Sequence, residues 1–145
     1  MPIQNLVARK GKTAIAGITY ALALCAGFTA TPAMATCEDA TTTVEMGACL
    51  EKEYKRADSE LNRIWGLVQS SIEASDYVPA EERETWKKVL LDAQRGWVQF
   101  KENDCFSAVP YEWYGGSGAG NAAMSCALDM TEARTKALKQ RYGVE

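Results

Sequence analysis

Four of the five cysteines in this chain follow an N-terminal segment that has the pattern of an export signal. They are Cys37, Cys49, Cys105 and Cys126. Disulfides form and persist in oxidising compartments, so an even number of thiols in a short exported chain predicts a disulfide framework. The same number of thiols in a cytosolic chain would favour metal or redox chemistry. We therefore expect all four cysteines to be paired in two bridges.

The N-terminal segment has the three parts of a secretory signal peptide. Its basic residues come first, residues 13–30 are small and apolar, and Pro32-Ala33-Met34-Ala35 ends in a small-x-small pattern. We expect cleavage after Ala35, which makes residues 1–35 the signal peptide and residues 36–145 one exported domain. A retained membrane anchor is the alternative, but glycine, threonine and proline interrupt a span that requires about 20 apolar residues.

A second alternative for the same segment is a lipid anchor on Cys25, because Leu22-Ala23-Leu24-Cys25 resembles a bacterial lipobox. Such boxes carry Gly, Ala or Ser immediately before the cysteine, whereas Leu24 stands there in this chain. We therefore expect a periplasmic or secreted protein that meets the membrane only through its signal peptide before cleavage.

The exported domain is acidic. Three of the chain's 16 Lys and Arg lie in the signal segment, whereas all 19 Asp and Glu follow it, so residues 36–145 have a formal charge of −6. A field of that sign repels the phosphates of nucleic acids and favours encounter with cationic proteins. The charge therefore argues against a nucleic-acid partner and favours a protein partner.

Three segments have the periodicity of amphipathic α-helices, and no segment alternates in the manner of a strand. The first follows a capping box at Thr42-Thr43-Val44-Glu45 and is expected to end near residues 71–75. The second covers residues 79–105, and the third covers residues 122–142. Consecutive helices with short connections pack antiparallel, so the pattern predicts an all-α fold, a three-helix antiparallel bundle.

The apolar faces of these helices supply the expected core, and Gly96 is interpreted as a point where the second helix packs closely against the first. On the first helix the expected core residues are Met46, Leu50, Tyr54, Ala57, Leu61, Ile64, Trp65, Val68 and Ile72. On the second they are Trp86, Val89, Leu90, Ala93, Trp97 and Phe100. On the third they are Met124, Ala127, Met130, Ala137, Leu138 and Tyr142.

A long loop is expected between the second and third helices, because the periodicity is lost over residues 107–120. Antiparallel packing would bring all four cysteines to one end of the bundle, where two disulfides would fasten the base of this loop. Three pairings are possible. We favour Cys37–Cys49 with Cys105–Cys126, because the second bond would close the loop.

The loop also contains the candidate protein-binding residues. They are Tyr111, Glu112, Trp113, Tyr114 and Ser117. Tyrosine and tryptophan are enriched in protein interfaces, and the glycines around them allow close backbone approach. The alternative is that the aromatic rings cover the open end of the bundle while the glycines serve only as a linker.

The chain lacks the residues on which most catalytic sites depend. It has no histidine, which is the usual general base and the commonest metal ligand. It has no HExxH motif, no phosphate-binding glycine loop and no CxxC pair. A carboxylate pair could serve glycoside hydrolysis, but the acidic residues alternate with basic ones as on a solvated helix face. We therefore expect no catalytic residue, no cofactor and no metal.

Four motifs are spread over the exported domain. They are Asp58-x-x-Leu61-Asn62, Ala93-Gln94-Arg95-x-Trp97-x-x-Phe100-x-x-x-x-Cys105, Gly115-Gly116-Ser117 and Cys126-x-Leu128-x-x-Thr131-x-x-Arg134-x-x-x-Leu138. Together they resemble the lysozyme inhibitor LprI-like family over essentially the whole of residues 36–145. The resemblance implies a small exported bacterial helical domain in a family that is named for a mycobacterial lipoprotein that inhibits lysozyme, and it carries no set of inhibitory residues.

The residues of these motifs also have a physical interpretation. The apolar ones are expected in the core, namely Leu61, Trp97, Phe100 and Leu138. The polar ones beside the apolar faces require partners, and we expect interhelical hydrogen bonds or an Arg–carboxylate pair. These polar residues are Asn62, Gln94, Arg95 and Arg134.

The sequence thus favours a periplasmic protein that blocks a cationic cell-wall hydrolase of the lysozyme class through its loop. Two alternatives stay open. One is an immunity or envelope-stress protein that neutralises another hydrolase or toxin, and the other is a structural or assembly module of the envelope that uses an exposed helix face. The sequence leaves the oligomeric state open.

Overall fold

The computed structural model of the protein describes residues 37–145, so the expected signal peptide, its cleavage point and Cys25 lie outside the described residues. Within residues 37–145 the chain is helical and contains no strand, which confirms the predicted all-α fold. The elements in chain order are α1 (Thr43–Glu73), α2 (Ala80–Asn103), a π-helical segment (Asp104–Ala108), α3 (Val109–Glu112) and α4 (Ala119–Tyr142). None of these helices is long and apolar enough to cross a membrane.

The three long helices form an up-down-up bundle in which α1 and α4 lie parallel. At one end the side-chain amide of Asn121 donates to the backbone carbonyl of Thr43 over 3.0 Å. At the other end the guanidinium of Arg63 donates to the backbone carbonyl of Glu145, also over 3.0 Å. The helix between them, α2, runs antiparallel to both, as expected for consecutive helices joined by short connections.

The start of α1 is held by the predicted capping box. The hydroxyl of Thr42 accepts from the backbone N–H of Glu45 over 3.1 Å, and the Glu45 carboxylate accepts from the backbone N–H of Thr42 over 3.1 Å and of Thr41 over 2.9 Å. These bonds satisfy amides that have no partner within the helix. The hydrogen bond from the Thr41 backbone is the main reason that the pKa of Glu45 lies below its ordinary value.

The core lies mainly between α1 and α4. The buried residues of α1 are Leu50, Ala57, Leu61, Ile64, Val68 and Ile72. Those of α4 are Ala123, Ser125, Ala127, Leu128, Thr131, Thr135 and Leu138. The hydroxyls of Thr131 and Thr135 donate to backbone carbonyls one turn earlier, over 2.7 and 2.9 Å, so their burial leaves no unpaired donor. The prediction that Ala137 lies in the core was wrong, because this residue is exposed.

The helix α2 contributes less to the core than its periodicity predicts. Only Leu90 and Lys101 are buried. Three residues that were expected inside are exposed, namely Val89, Ala93 and Phe100. The prediction of close packing at Gly96 was also wrong, because a Cβ atom added there would meet no atom within 4 Å. A helix on one side of a three-helix bundle buries only the strip that faces the other two, so its flank stays in solvent.

The connection between α2 and α4 is more helical than predicted. Helical turns continue from Asp104 to Glu112, and α4 begins at Ala119 rather than near Ala122, so the irregular part of the expected loop shrinks to residues 113–118. Pro110 lies in the first turn of α3, directly after the π-helical segment.

Two disulfides fasten this end of the bundle, with the pairing that the sequence favours. Cys37 is bonded to Cys49 and Cys105 to Cys126, with Cα–Cα distances of 6.0 and 5.4 Å. The first bond ties the entering chain to α1, and the second ties the π-helical segment to α4. We refer to residues 37–53 and 101–130 as the disulfide end.

Candidate functional site

Four aromatic side chains are exposed at the disulfide end: Phe106 in the π-helical segment, which is 38% exposed, and three that lie in or next to the turn before α4. Tyr111 on α3 is 83% exposed, Trp113 is 51% exposed, and Tyr114 is completely exposed. The alternative interpretation was that these rings cover the open end of the bundle. Only the Trp113 ring does so, and only in part, because about half of it is buried. Two large rings in full contact with water are typical of a binding surface, because burying them contributes strongly to association.

Trp113 is held in place by a glycine. A Cβ atom added at Gly118 would lie 2.6 Å from Cζ3 of the indole ring and 2.8 Å from Cε3, so the ring rests on the Gly118 backbone. Any other residue at position 118 would displace the ring, because the clash is with rigid aromatic atoms. Gly118 thus positions a half-exposed tryptophan.

Tyr114 has an unusual backbone conformation for a bulky residue. Its φ angle is +50°, and the φ angle of the following Gly115 is +68°. The turn is ordered by backbone hydrogen bonds, from the N–H of Tyr114 to the carbonyl of Tyr111 over 3.1 Å and from the N–H of Gly116 to the carbonyl of Trp113 over 2.8 Å. A left-handed conformation costs a non-glycine residue about 1 kcal/mol or more, and such strain clusters at functional sites.

A groove of about 500 Å³ lies beside the Trp113 ring, between the start of α1 and the start of α4. Its lining includes residues 40–43 and Met46 on one side, Glu112 and Trp113 on another, and Asn121 on α4. Of the sequence-predicted site residues, the structure brings Glu112 and Trp113 together in this groove. Tyr111, Tyr114 and Ser117 are exposed outside it.

The negative charge of the protein is concentrated at the disulfide end. This end contains nine Asp or Glu residues and two lysines, whereas the rest of residues 37–145 contains ten acidic and eleven basic residues. No Lys or Arg occurs between Lys101 and Arg134, the stretch that includes Tyr111, Trp113 and Tyr114. The aromatic surface therefore lies in a negative field that attracts cationic partners.

The polar residues singled out from the sequence have structural partners. Nε of Arg134 donates to the side-chain oxygen of Gln94 over 2.9 Å, which is the interhelical hydrogen bond expected from sequence. Burial lowers the pKa of Arg134. Asn62 and Arg95 instead pair within their own helices, with Asp58 over 3.1 Å and with Asp92 over 3.6 Å.

Sequence reasoning missed a buried lysine close to this network. Lys101 is 4% exposed, and its ammonium donates to the hydroxyl of Tyr54 over 2.6 Å. The same ammonium lies 4.9 Å from the centroid of the Tyr54 ring and 5.6 Å from that of Trp97. The available signal was spacing, because Lys101 stands four residues after Trp97 and so shares its inward face.

Comparison with known proteins relates the sequence of this chain to one protein family. A family model described as "Lysozyme inhibitor LprI" matches residues 33–138, which include both disulfides, the aromatic turn and most of the three long helices. An uncharacterized protein of Rhizobium meliloti (strain 1021) is 27% identical over 107 residues, which cover 72% of this chain and 76% of that protein. No solved structure matches the chain.

Proposed function

Because the chain belongs to the lysozyme inhibitor LprI family, we propose that it is an exported inhibitor that binds a cationic cell-wall hydrolase of the lysozyme class and blocks it with its disulfide end. The observation that carries this proposal is the coincidence of exposed aromatic rings with the negative charge of the protein. Each feature alone is common on protein surfaces, whereas their combination on one ordered turn suits a cationic protein target.

The proposed mechanism is occlusion of the hydrolase cleft. Long-range attraction between the acidic disulfide end and the positive enzyme would steer the encounter and raise the association rate. Tyr111, Trp113 and Tyr114 would then provide the apolar contact area that holds the complex together. The inhibitor performs no chemistry in this mechanism, which agrees with membership of a family named for inhibition.

Preorganisation of the turn supports this mechanism. Association costs free energy when flexible loops must be ordered, and a turn that is already ordered reduces that cost. Here the Cys105–Cys126 bond closes the segment, backbone hydrogen bonds fix Tyr114 and Gly116, and Gly118 supports the Trp113 ring. The backbone of the turn and the Trp113 ring are thus ordered before the target arrives.

A panel of lysozyme-class hydrolases tests the proposal. The oxidised protein should inhibit the release of fragments from peptidoglycan by at least one cationic hydrolase, and inhibition should weaken as salt is raised from about 0.05 to 0.5 M because the attraction is screened. A pull-down from periplasmic extract with the same protein identifies a different target. Absence of binding to every cationic hydrolase at low salt would overturn the proposal, and capture of an unrelated toxin would assign the protein to immunity.

A further inference from the structure

One flank of α2 presents an apolar stripe to solvent. The stripe consists of Val89, Ala93, Gly96 and Phe100, which recur at steps of four, three and four and therefore share one face of the helix. Val89 and Phe100 are 55% and 58% exposed, Ala93 is exposed, and the space beside Gly96 is open. The rest of residues 37–145 therefore leaves more than half of these large side chains exposed to solvent. Packing within a single chain does not explain why this face of α2 is apolar.

The order of side-chain sizes along the stripe is nearly the same in both directions, so two copies of the stripe can pair antiparallel. The sequence of sizes is large, small, small, large, which reads similarly in both directions. In an antiparallel pairing about a two-fold axis, Val89 of one copy lies opposite Phe100 of the other, and Ala93 lies opposite Gly96. The small central residues let the two helices approach closely, and the large outer residues close both ends of the contact.

Charge distinguishes the stripe from the proposed inhibitory surface. The stripe itself has no charged residue, and α2 as a whole has five acidic and five basic residues. A cationic hydrolase is attracted to the acidic disulfide end and gains no such attraction from a neutral helix. A second copy of the chain, by contrast, meets no net repulsion along α2.

The direction of pairing follows from the same charges. A parallel pairing would place two acidic disulfide ends side by side. In the register that places Val89 opposite Phe100, an antiparallel pairing separates the two copies of Asn103 by 17 residues, about 25 Å along the helix axis, which is about three times the Debye length of about 8 Å at physiological salt. Repulsion between the two ends is then screened.

We propose that α2 is the interface of an antiparallel two-fold homodimer, formed by the stripe Val89, Ala93, Gly96 and Phe100. Such an isologous contact is the commonest symmetry of soluble oligomers. Because the stripe spans only about three helical turns, the dimer is weak and dissociates on dilution. The two disulfide ends point away from each other, which leaves both free for targets, and the inference stands independently of the proposed inhibition.

Sedimentation velocity of the oxidised protein tests this interface over about 1 µM to 1 mM, the range in which weak interfaces dissociate. The expected result is a mass that doubles with concentration. Gly96→Glu should keep the protein monomeric throughout, because it places a charge at the centre of the stripe. The variant should still fold, since the site is open and glutamate is a better helix former than glycine.

Gly66→Glu is the matched control. Gly66 is also an exposed helical glycine with open space around it, but it lies on α1, so this variant should dimerise like the unmodified protein. A protein that stays monomeric at every concentration, or a dimer that survives Gly96→Glu, would overturn the proposal. If the unmodified protein is monomeric and Gly96→Glu, but not Gly66→Glu, removes its binding to a hydrolase, the stripe belongs to the surface that binds the target and the dimer proposal is also overturned.

Discussion

The ammonium of Lys101 and the hydroxyl of Tyr54 form a hydrogen bond of 2.6 Å between α2 and α1, at a site where Lys101 is 4% exposed. A buried charge is costly unless it is paired and hydrogen-bonded, so this contact helps to offset the burial of Lys101, as does the ion pair of its ammonium with Glu102 at 3.4 Å. The Tyr54 and Trp97 rings add cation–π stabilisation of the same group. The contact joins α2 to the core close to the disulfide end.

Tyr54→Phe removes the hydroxyl and leaves the Lys101 ammonium without this acceptor. We expect the free energy of unfolding to fall by about 1.5–3 kcal/mol, the value typical of hydrogen bonds to charged groups. Tyr77→Phe is the control, because Tyr77 is 94% exposed at the opposite end of the bundle. Urea unfolding of both variants measures the difference, and equal stabilities would show that the contact contributes nothing.

Glu60 links α1 to α4 and should make stability depend on pH. Hydrogen bonds from Arg63, first, and from Lys139 lower its pKa from 4.5 to about 2. Because the folded-state pKa is depressed, the stabilisation is fully present above about pH 5 and is lost as the pH falls toward 2. The carboxylate is 32% exposed, so after screening by solvent we expect only about 1 kcal/mol.

Glu60→Gln should therefore lower the free energy of unfolding at pH 7 by about 1 kcal/mol and have little effect near pH 2. Urea unfolding at both pH values measures this. Asp76→Asn, at an exposed residue in the connection between α1 and α2, is the control. A Glu60→Gln effect that is equally large at both pH values would contradict a role for the ionised carboxylate.

Tyr114 is expected to show a conflict between stability and function. Tyr114→Gly relieves the left-handed conformation but increases the freedom of the unfolded chain, so stability should stay within about 0.5 kcal/mol or rise. Inhibition should nevertheless weaken, because a fully exposed ring is lost. Thermal unfolding and inhibition assays on one preparation separate the two effects. Full inhibition by the glycine variant would show that the Tyr114 ring does not contribute to binding.

The two disulfides should contribute similarly to stability but differently to inhibition. Their sequence separations of 12 and 21 residues predict about 3 kcal/mol each from restriction of the unfolded chain. The double variant Cys105→Ser/Cys126→Ser also frees the aromatic turn, whereas Cys37→Ser/Cys49→Ser leaves it closed. We expect the first pair to reduce inhibition more at a temperature where both variants are folded. A larger loss for the second pair would contradict the role of the turn.

Much of the fold could be predicted because its signals are local. The capping box at Thr42 and Glu45, the three helical periodicities and the end of the bundle at which the cysteines meet all follow from spacing. The position of Phe100 could not be predicted in this way. Periodicity identifies an apolar face but does not say how many neighbouring helices cover it.

The candidate site was only partly predictable, for a related reason. Aromatic residues are typical of both cores and interfaces, so sequence alone could not decide between an exposed Tyr114 and one packed on the bundle. The helical turns from Asp104 to Glu112 depend on tertiary contacts and on a disulfide, which local propensity does not describe. The burial of Lys101 is likewise set by neighbours on another helix.

The most direct measurement of the central claim is the inhibition of a susceptible lysozyme-class hydrolase by the double variant Trp113→Ala/Tyr114→Ala, with Tyr77→Ala as the control for removal of an exposed ring elsewhere. The expected result is an inhibition constant at least about 100-fold weaker for the double variant, as for the loss of two interface anchors, with unchanged folding and an unaffected control. Unchanged inhibition by the folded double variant would contradict the claim that the disulfide end is the inhibitory surface.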